Sequence, residues 1–250
     1  MEQIMIKMYP LWLSVVAAGM FSVPAFGQQT LSPECGNLRN AYGPYDYRNS
    51  IGTDRLNVVE AFHFDANVEN LRKVPGQVGG EISYTLRAFP NHHRALMSMV
   101  RLGSNLKVSK PPGAAYSIGC FLMRAEVFQP EDAMVKVIYG HYLLKQGQRA
   151  QALEKLGAAD VSQSKDANVA YNLGLAYFDA GDFGKSLENA HLAYELGFPL
   201  PGLRDKLKRA GKWRDAPPAV VKNEVAVPEA AAVPTPAPTT TAPSVVDKPN

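Results

Sequence analysis

Five histidines and two cysteines are the residues of this 250-residue chain best suited to chemistry. Zinc held on one helix needs ligands at i and i+4, as in His-Glu-x-x-His. His63, His92, His93, His141 and His191 lack that spacing. His92 and His93 are adjacent, so their side chains would leave a helix about 100° apart. No neighbouring carboxylate or cysteine completes a ligand set, and no metal site is expected. Asp65 with Glu69, and Glu131 with Asp132, pair carboxylates in sequence. Helix caps and first-turn charges account for both pairs. The chain has no Gly-x-Ser-x-Gly, phosphate loop or dinucleotide fingerprint, and no Cys-x-x-Cys-His for covalent haem. These absences point away from an enzyme and from any cofactor. A formal charge of +3 is too near balance for a nucleic-acid protein.

The cysteines acquire meaning from the N-terminus. Lys7 precedes the uncharged apolar run Leu11–Phe21, Pro24 breaks it, and Ala25-Phe26-Gly27 offers small residues where a signal peptidase cuts. Residues 1–27 therefore read as a signal peptide, with the mature chain beginning near Gln28. An uncleaved anchor over Tyr9–Gly27 is the alternative, and it is the only membrane contact expected. Cys35 lies too far beyond the cut for lipid attachment. Export to a periplasm places Cys35 and Cys120 where disulfides persist. Two readings stay open: a bridge closing a long loop, worth about 4 kcal/mol by chain entropy, or a buried thiol at Cys120 inside an apolar helix.

Around these residues the chain reads in sections. Residues 28–80 are aromatic and turn-rich, with Tyr42, Tyr45 and Tyr47 anchoring loops. Val58–Leu71 is weakly helical, with Asp65 as a cap, and Gly76, Gly79 and Gly80 close an irregular segment. From Glu81 the pattern is helical. Ile82, Leu86 and Phe89 share a face, Pro90 opens the next helix, and Gly103 ends it. Ser104–Ser117 is a polar loop, and Ile118–Val127 is helical again. The segment 216–250 consists mostly of Ala, Pro, Thr and Val. That composition buries too little surface to offset its ordering entropy, so a disordered tail is expected.

Residues 133–200 repeat themselves at a spacing of 34. Gly140 matches Gly174, Gly147 matches Gly181, Leu153 matches Leu187, and Ala159 matches Ala193. Two antiparallel helices that cross closely need bare or small residues at the crossing: Gly140 and Gly174 on the first helix, Ala152, Ala159, Ser186 and Ala193 on the second. Tyr177 fills the gap to the next unit. Gly147 and Gly181 suit the turns, where positive φ is needed.

The run Ala170-Tyr171-Asn172-Leu173-Gly174-Leu175-Ala176-Tyr177-Phe178, followed by Gly181-Asp182-Phe183, resembles the tetratricopeptide repeat (TPR), whose period is also 34. The resemblance covers Ala133–Trp213 well, 82–130 loosely, and the first eighty residues not at all. It implies an all-α, TPR-like α-solenoid: a degenerate repeat with an inserted loop over 81–132, repeats over 133–166 and 167–200, and a capping helix over 201–215. In that helix Leu203, Leu207 and Ala210 turn inward, and Arg204, Lys206, Lys208, Arg209, Lys212 and Arg214 form the solvated face.

What the resemblance implies for function is a concave groove for a peptide or protein segment. By register it is lined by Val137, Ile138, His141, Leu144 and Lys145, then Tyr171, Asn172, Leu175, Phe178 and Asp179. Asn172 stands where many TPRs hold a peptide backbone. The groove's occupant is either a partner or the chain's own segment around Tyr42, Tyr45 and Tyr47. Polar groups converging between Tyr42–Tyr47 and His92–His93 would instead favour a small-molecule or enzymatic site in the N-terminal segment. A role in assembling the cell envelope is a third reading.

Overall fold

Capping chemistry sets most helix starts. The computed structural model describes residues 31–159 and 165–215. Among them are ten α-helices and no strand: α1 Asp54–His63, α2 Ala66–Glu69, α3 Pro75–Ala88, α4 His93–Leu106, α5 Ile118–Phe128, α6 Ala133–Lys145, α7 Arg149–Gly157, α8 Ala167–Asp179, α9 Phe183–Glu195 and α10 Gly202–Arg209. The protein is all-α. Asp65, Asp132, Asp166 and Asp182 each accept a backbone N–H in the first turn of α2, α6, α8 and α9. Ser117 does the same for α5. These acceptors satisfy donors that a helix start leaves orphaned. Gly147 and Gly181, at φ 73° and 79°, supply the left-handed turns of the α6/α7 and α8/α9 hairpins.

The described helices belong to one unit ending at Arg214; of the next, beginning at Asp215, only that residue is described. The expected signal peptide, its expected cut before Gln28 and the tail from Ala216 lie outside the described residues. Two apolar clusters run along the helices. One unites α3, α4, α5 and one side of α6 through Ile82, Leu86, Leu96, Met99, Phe121, Leu122, Val135 and Ile138. The other joins the opposite side of α6 to α7, α8 and α9 through Val137, Leu156, Val169, Leu173 and Tyr177. α6 is therefore covered on both flanks. No described helix is long and apolar enough to cross a membrane.

Three expectations need correction in the first half. The segment 28–80 is not irregular throughout, because α1 and α2 lie within it and α3 begins at Pro75. Gly76, Gly79 and Gly80 sit inside α3 and do not close a segment. A Cβ at Gly79 would strike the Pro112 carbonyl, so the bare position serves close approach of the 107–117 loop. Pro90 precedes α4 without entering it, and Gly103 lies within α4, where its bare face admits Ile118 of α5. Cys35 and Cys120 are joined in a disulfide, which fastens the N-terminal segment to α5.

Candidate functional site

The small residues of the repeats meet where two helices approach. A Cβ on Gly140 would lie 2.5 Å from Leu156 Cδ2 and 3.3 Å from the Ala152 carbonyl oxygen. On Gly174 it would lie 2.6 Å from Leu203 Cδ2, 3.3 Å from the Ser186 carbonyl oxygen and 3.4 Å from Asn189 Cβ. Ser186 Oγ donates to the Gly174 carbonyl at 2.8 Å. Ala152, Ala159, Tyr177 and Ala193 are buried beside these crossings. The two hairpins differ in one detail. Leu156 fills the first crossing, but its counterpart 34 residues on is Ala190, and the space above Gly174 is taken by Leu203 from α10. Leu203 and Leu207 are wholly buried, whereas Ala210, expected to face inward, is exposed.

The expected groove is only partly a surface. Val137 and Ile138 are 2% and 1% exposed, so neither lines a groove. Both flanks of α6 are covered, Ile138 by the first apolar cluster and Val137 by the second. The register placed them on an open face because it counted one packed neighbour for α6 instead of two. His141 and Leu144 are half-buried, and Lys145 is exposed. Burial, then the nearby Lys145 charge, holds the His141 imidazole below its ordinary range. On α8, Tyr171 stacks on Phe198 at 3.9 Å, and its hydroxyl accepts from Leu203 N at 3.1 Å. Leu175 and Phe178 pack against the Leu203–Leu207 cluster but keep exposed area. Lys206 Nζ lies 4.6 Å from the Phe178 ring centre and 2.6 Å from Asp179 Oδ1. Asn172 donates its amide back to Asn168 O at 2.8 Å, leaving its carbonyl oxygen for other use.

The N-terminal segment does not pack its rings into this groove. Tyr42, Tyr45 and Tyr47 cluster with Leu56, Val59, Tyr84, Ala88 and Phe89, on α1 and the end of α3. Tyr47 stacks on His92 with centroids 4.1 Å apart. Below these rings lies a buried polar cluster. Asn91 Nδ2 donates to Asp46 Oδ1 at 2.7 Å and to Asp132 Oδ2 at 2.9 Å, while its Oδ1 accepts from Tyr47 N at 2.9 Å. His93 Nε2 is 2.9 Å from both Asp132 oxygens. Arg48 reaches Asp46 at 2.9 Å, Gln129 at 3.0 Å and Asp132 at 3.4 Å.

His92 is the N-cap of α4, not a helical residue. Its Nδ1 accepts from Ala95 N at 3.2 Å, which leaves Nε2–H to donate to Glu60 Oε1 at 3.0 Å. Burial keeps this imidazole below its ordinary range against the opposing pull of Glu60. Burial alone would raise the Asp132 carboxyl, but His93, Asn91 and Arg48 outweigh it and hold that carboxyl below its usual range. Sequence reasoning named the space between Tyr42–Tyr47 and His92–His93 but not Asp132 or the pairing, because the members stand about forty residues apart. The one available signal was the run Asn91-His92-His93 of polar residues entering an apolar helix. His92 and His93 each meet a carboxylate, yet no described group of three or more His, Cys, Asp or Glu is arranged to hold a metal ion.

No protein-family model matches the chain, and neither a curated protein nor a solved structure does.

Proposed function

We propose that this protein is an exported, TPR-like scaffold that holds a segment of another polypeptide along α6 and α8. The observation that carries the reading is a shared row of part-exposed side chains. His141, Leu144 and Lys145 on α6 recur 34 residues on as Leu175, Phe178 and Asp179 on α8. A row that mixes apolar and charged groups, repeated on successive helices, suits an extended chain with alternating side chains. The disulfide supports export, because such bonds persist in oxidising compartments such as a periplasm. An enzymatic or small-molecule role for the N-terminal segment has less support. Asp46, Asn91, His93 and Asp132 do converge beside Tyr47, but they direct their hydrogen bonds at one another.

Site-specific photocross-linking tests the proposal. A photoreactive residue replacing Asn172, one turn before Leu175 on α8, is compared with one replacing exposed Glu188 on α9. Capture of a polypeptide from Asn172 and not from Glu188, abolished by Leu175→Glu, is the expected result. Equal capture from both positions would overturn the groove, and mature protein retained in the cytoplasm would overturn export.

A further inference from the structure

The surface that closes the repeats carries charge of one sign. From Arg204 to Arg214 six cations stand against one carboxylate, Asp205, an excess larger than the +3 of the entire chain. Cations in the last turn of a helix complement its dipole, which accounts for Lys206, Lys208 and Arg209. It does not account for Lys212 and Arg214, which lie past the end of α10. A solvated face needs charge, but it is served best by both signs interspersed. Lys208, Arg209 and Lys212 are exposed and form no ion pair among the described residues.

The cations are held in place by rings and by the turn that follows α10. Lys212 N donates to Leu207 O at 2.8 Å, and His191 Nε2–H donates to Arg214 O at 2.8 Å, so the turn is folded back onto α9. The Arg204 guanidinium carbon lies 4.8 Å from the Tyr194 ring centre and 5.8 Å from that of Trp213. Beside the row on α8, Lys206 Nζ lies 4.6 Å from the Phe178 ring centre. Phe178 meets Phe183 edge-on at 5.2 Å, and Lys212 Nζ lies 5.3 Å from the Phe183 centre. An aromatic face attracts a cation without cancelling its charge. The result is a positive surface whose side chains are already placed, so an anionic ligand has less ordering to bring about.

We propose that α10 and the turn after it bind an acidic stretch of polypeptide, rich in Asp or Glu, that continues from the row on α8. This rests on the reading that a polypeptide segment lies along α6 and α8, and it names the chemistry of the next part of that segment. Phe178 ends the row and carries Lys206 of the basic surface. That continuity favours a chain crossing from one surface to the other over a lipid headgroup.

The test uses the full oxidised chain and a fluorescent octaglutamate peptide, with binding followed by anisotropy. Saturable binding at low salt, weakening as sodium chloride is raised, is the expected result. Lys208→Gln combined with Arg209→Gln should weaken it roughly two- to thirtyfold, the range for losing two exposed ion pairs. Both side chains are exposed, so the core is untouched. Arg72→Gln combined with Lys110→Gln removes equal charge from exposed positions elsewhere and should leave binding nearly unchanged. Octaglutamate has no apolar side chain for the row, so it reports on α10 alone, whereas photocapture at Asn172 reports on the row. Absent octaglutamate binding with that capture intact would overturn the acidic segment and leave the groove standing. Equal weakening by both pairs of substitutions would reduce the effect to net charge and overturn it as well. Sedimentation with phosphatidylglycerol vesicles but no binding of octaglutamate would assign the surface to lipid headgroups instead.

Discussion

Asp132 and Ser186 are both almost wholly buried polar residues, 2% and 0% exposed, and they hold the molecule in different ways. Asp132 gathers Asn91 and His93, 41 and 39 positions away, together with Arg48 from the N-terminal segment. Ser186 donates to Gly174 O, 12 positions back across a single hairpin. The first half of the chain is thus fastened by remote polar groups, stacked rings and a disulfide. The second half is fastened by small residues that let neighbouring helices close on each other. The first arrangement stands or falls as a unit, because each buried polar group relies on the others. The second distributes its stability over crossings that repeat.

Removing the hub should have the largest effect. Asp132→Ala leaves Asn91 and His93 facing a void, takes a partner from Arg48, and removes the cap of α6. Breaking a buried charge pair from one side costs about 3–5 kcal/mol. Urea unfolding should show a loss of that order. A loss under about 1 kcal/mol, the size of a lone helix cap, would mean that the cluster contributes little beyond capping.

The corresponding intervention in the second half is Gly174→Leu, expected to cost about 1–3 kcal/mol as overpacking. The first obstacle to a side chain there is the tip of Leu203, followed by the Ser186 carbonyl. Leu203 belongs to α10, so this helix should be displaced before the α8/α9 hairpin opens. Hydrogen exchange would show faster amides over Leu203–Arg209 with slower change at Ala170–Tyr177. If both accelerate together, the hairpin and its cap form one cooperative unit and the contrast between local and remote fastening weakens.

What could be read from the chain follows the same division. The turns of the α8/α9 hairpin and its partner α6/α7 were legible at Gly181 and Gly147, because glycine and alanine at 34-residue spacing state a local steric requirement. The small partners Ala152, Ala159, Ser186 and Ala193 were legible for that reason too. The substitution of Leu203 for a side chain at Ala190 was not, since it depends on how α10 folds back. Val137 and Ile138 were misplaced because periodicity marks an apolar face without saying how many neighbours cover it. The Asn91–Asp132 link left only the polar run Asn91-His92-His93 as a trace, with nothing to point it at Asp132. Cysteine count and the expectation of export made the disulfide one of two readings, and only the fold, by bringing Cys35 against α5, settled which.

Acid should separate the two halves more gently than either substitution. Asp46, Glu60 and Asp132 all have carboxyls held below their ordinary values in the fold. A carboxyl of that kind adds stability above its unfolded value and loses it as pH falls through the folded one. His92 is held below its ordinary value of 6.5 by burial. The unfolded chain therefore takes up this proton first, so the contribution of neutral His92 is complete above 6.5 and declines as pH falls below it. Both effects have the same sign, and His92 acts at the higher pH. Between about pH 7 and pH 5, the range in which an ordinary imidazole titrates, the protection of amides around Tyr47 and the first turn of α4, relative to the intrinsic exchange rate at each pH, should fall progressively. Those of α8, which meets through Asp179 only the less deeply buried His141, should change less. His92→Gln retains a neutral polar group and should flatten the pH response of the N-terminal segment, at the cost of a slower but constant loss of protection. Equal loss of protection in α8 and around Tyr47 would show that the remote polar fastening is not where acid acts.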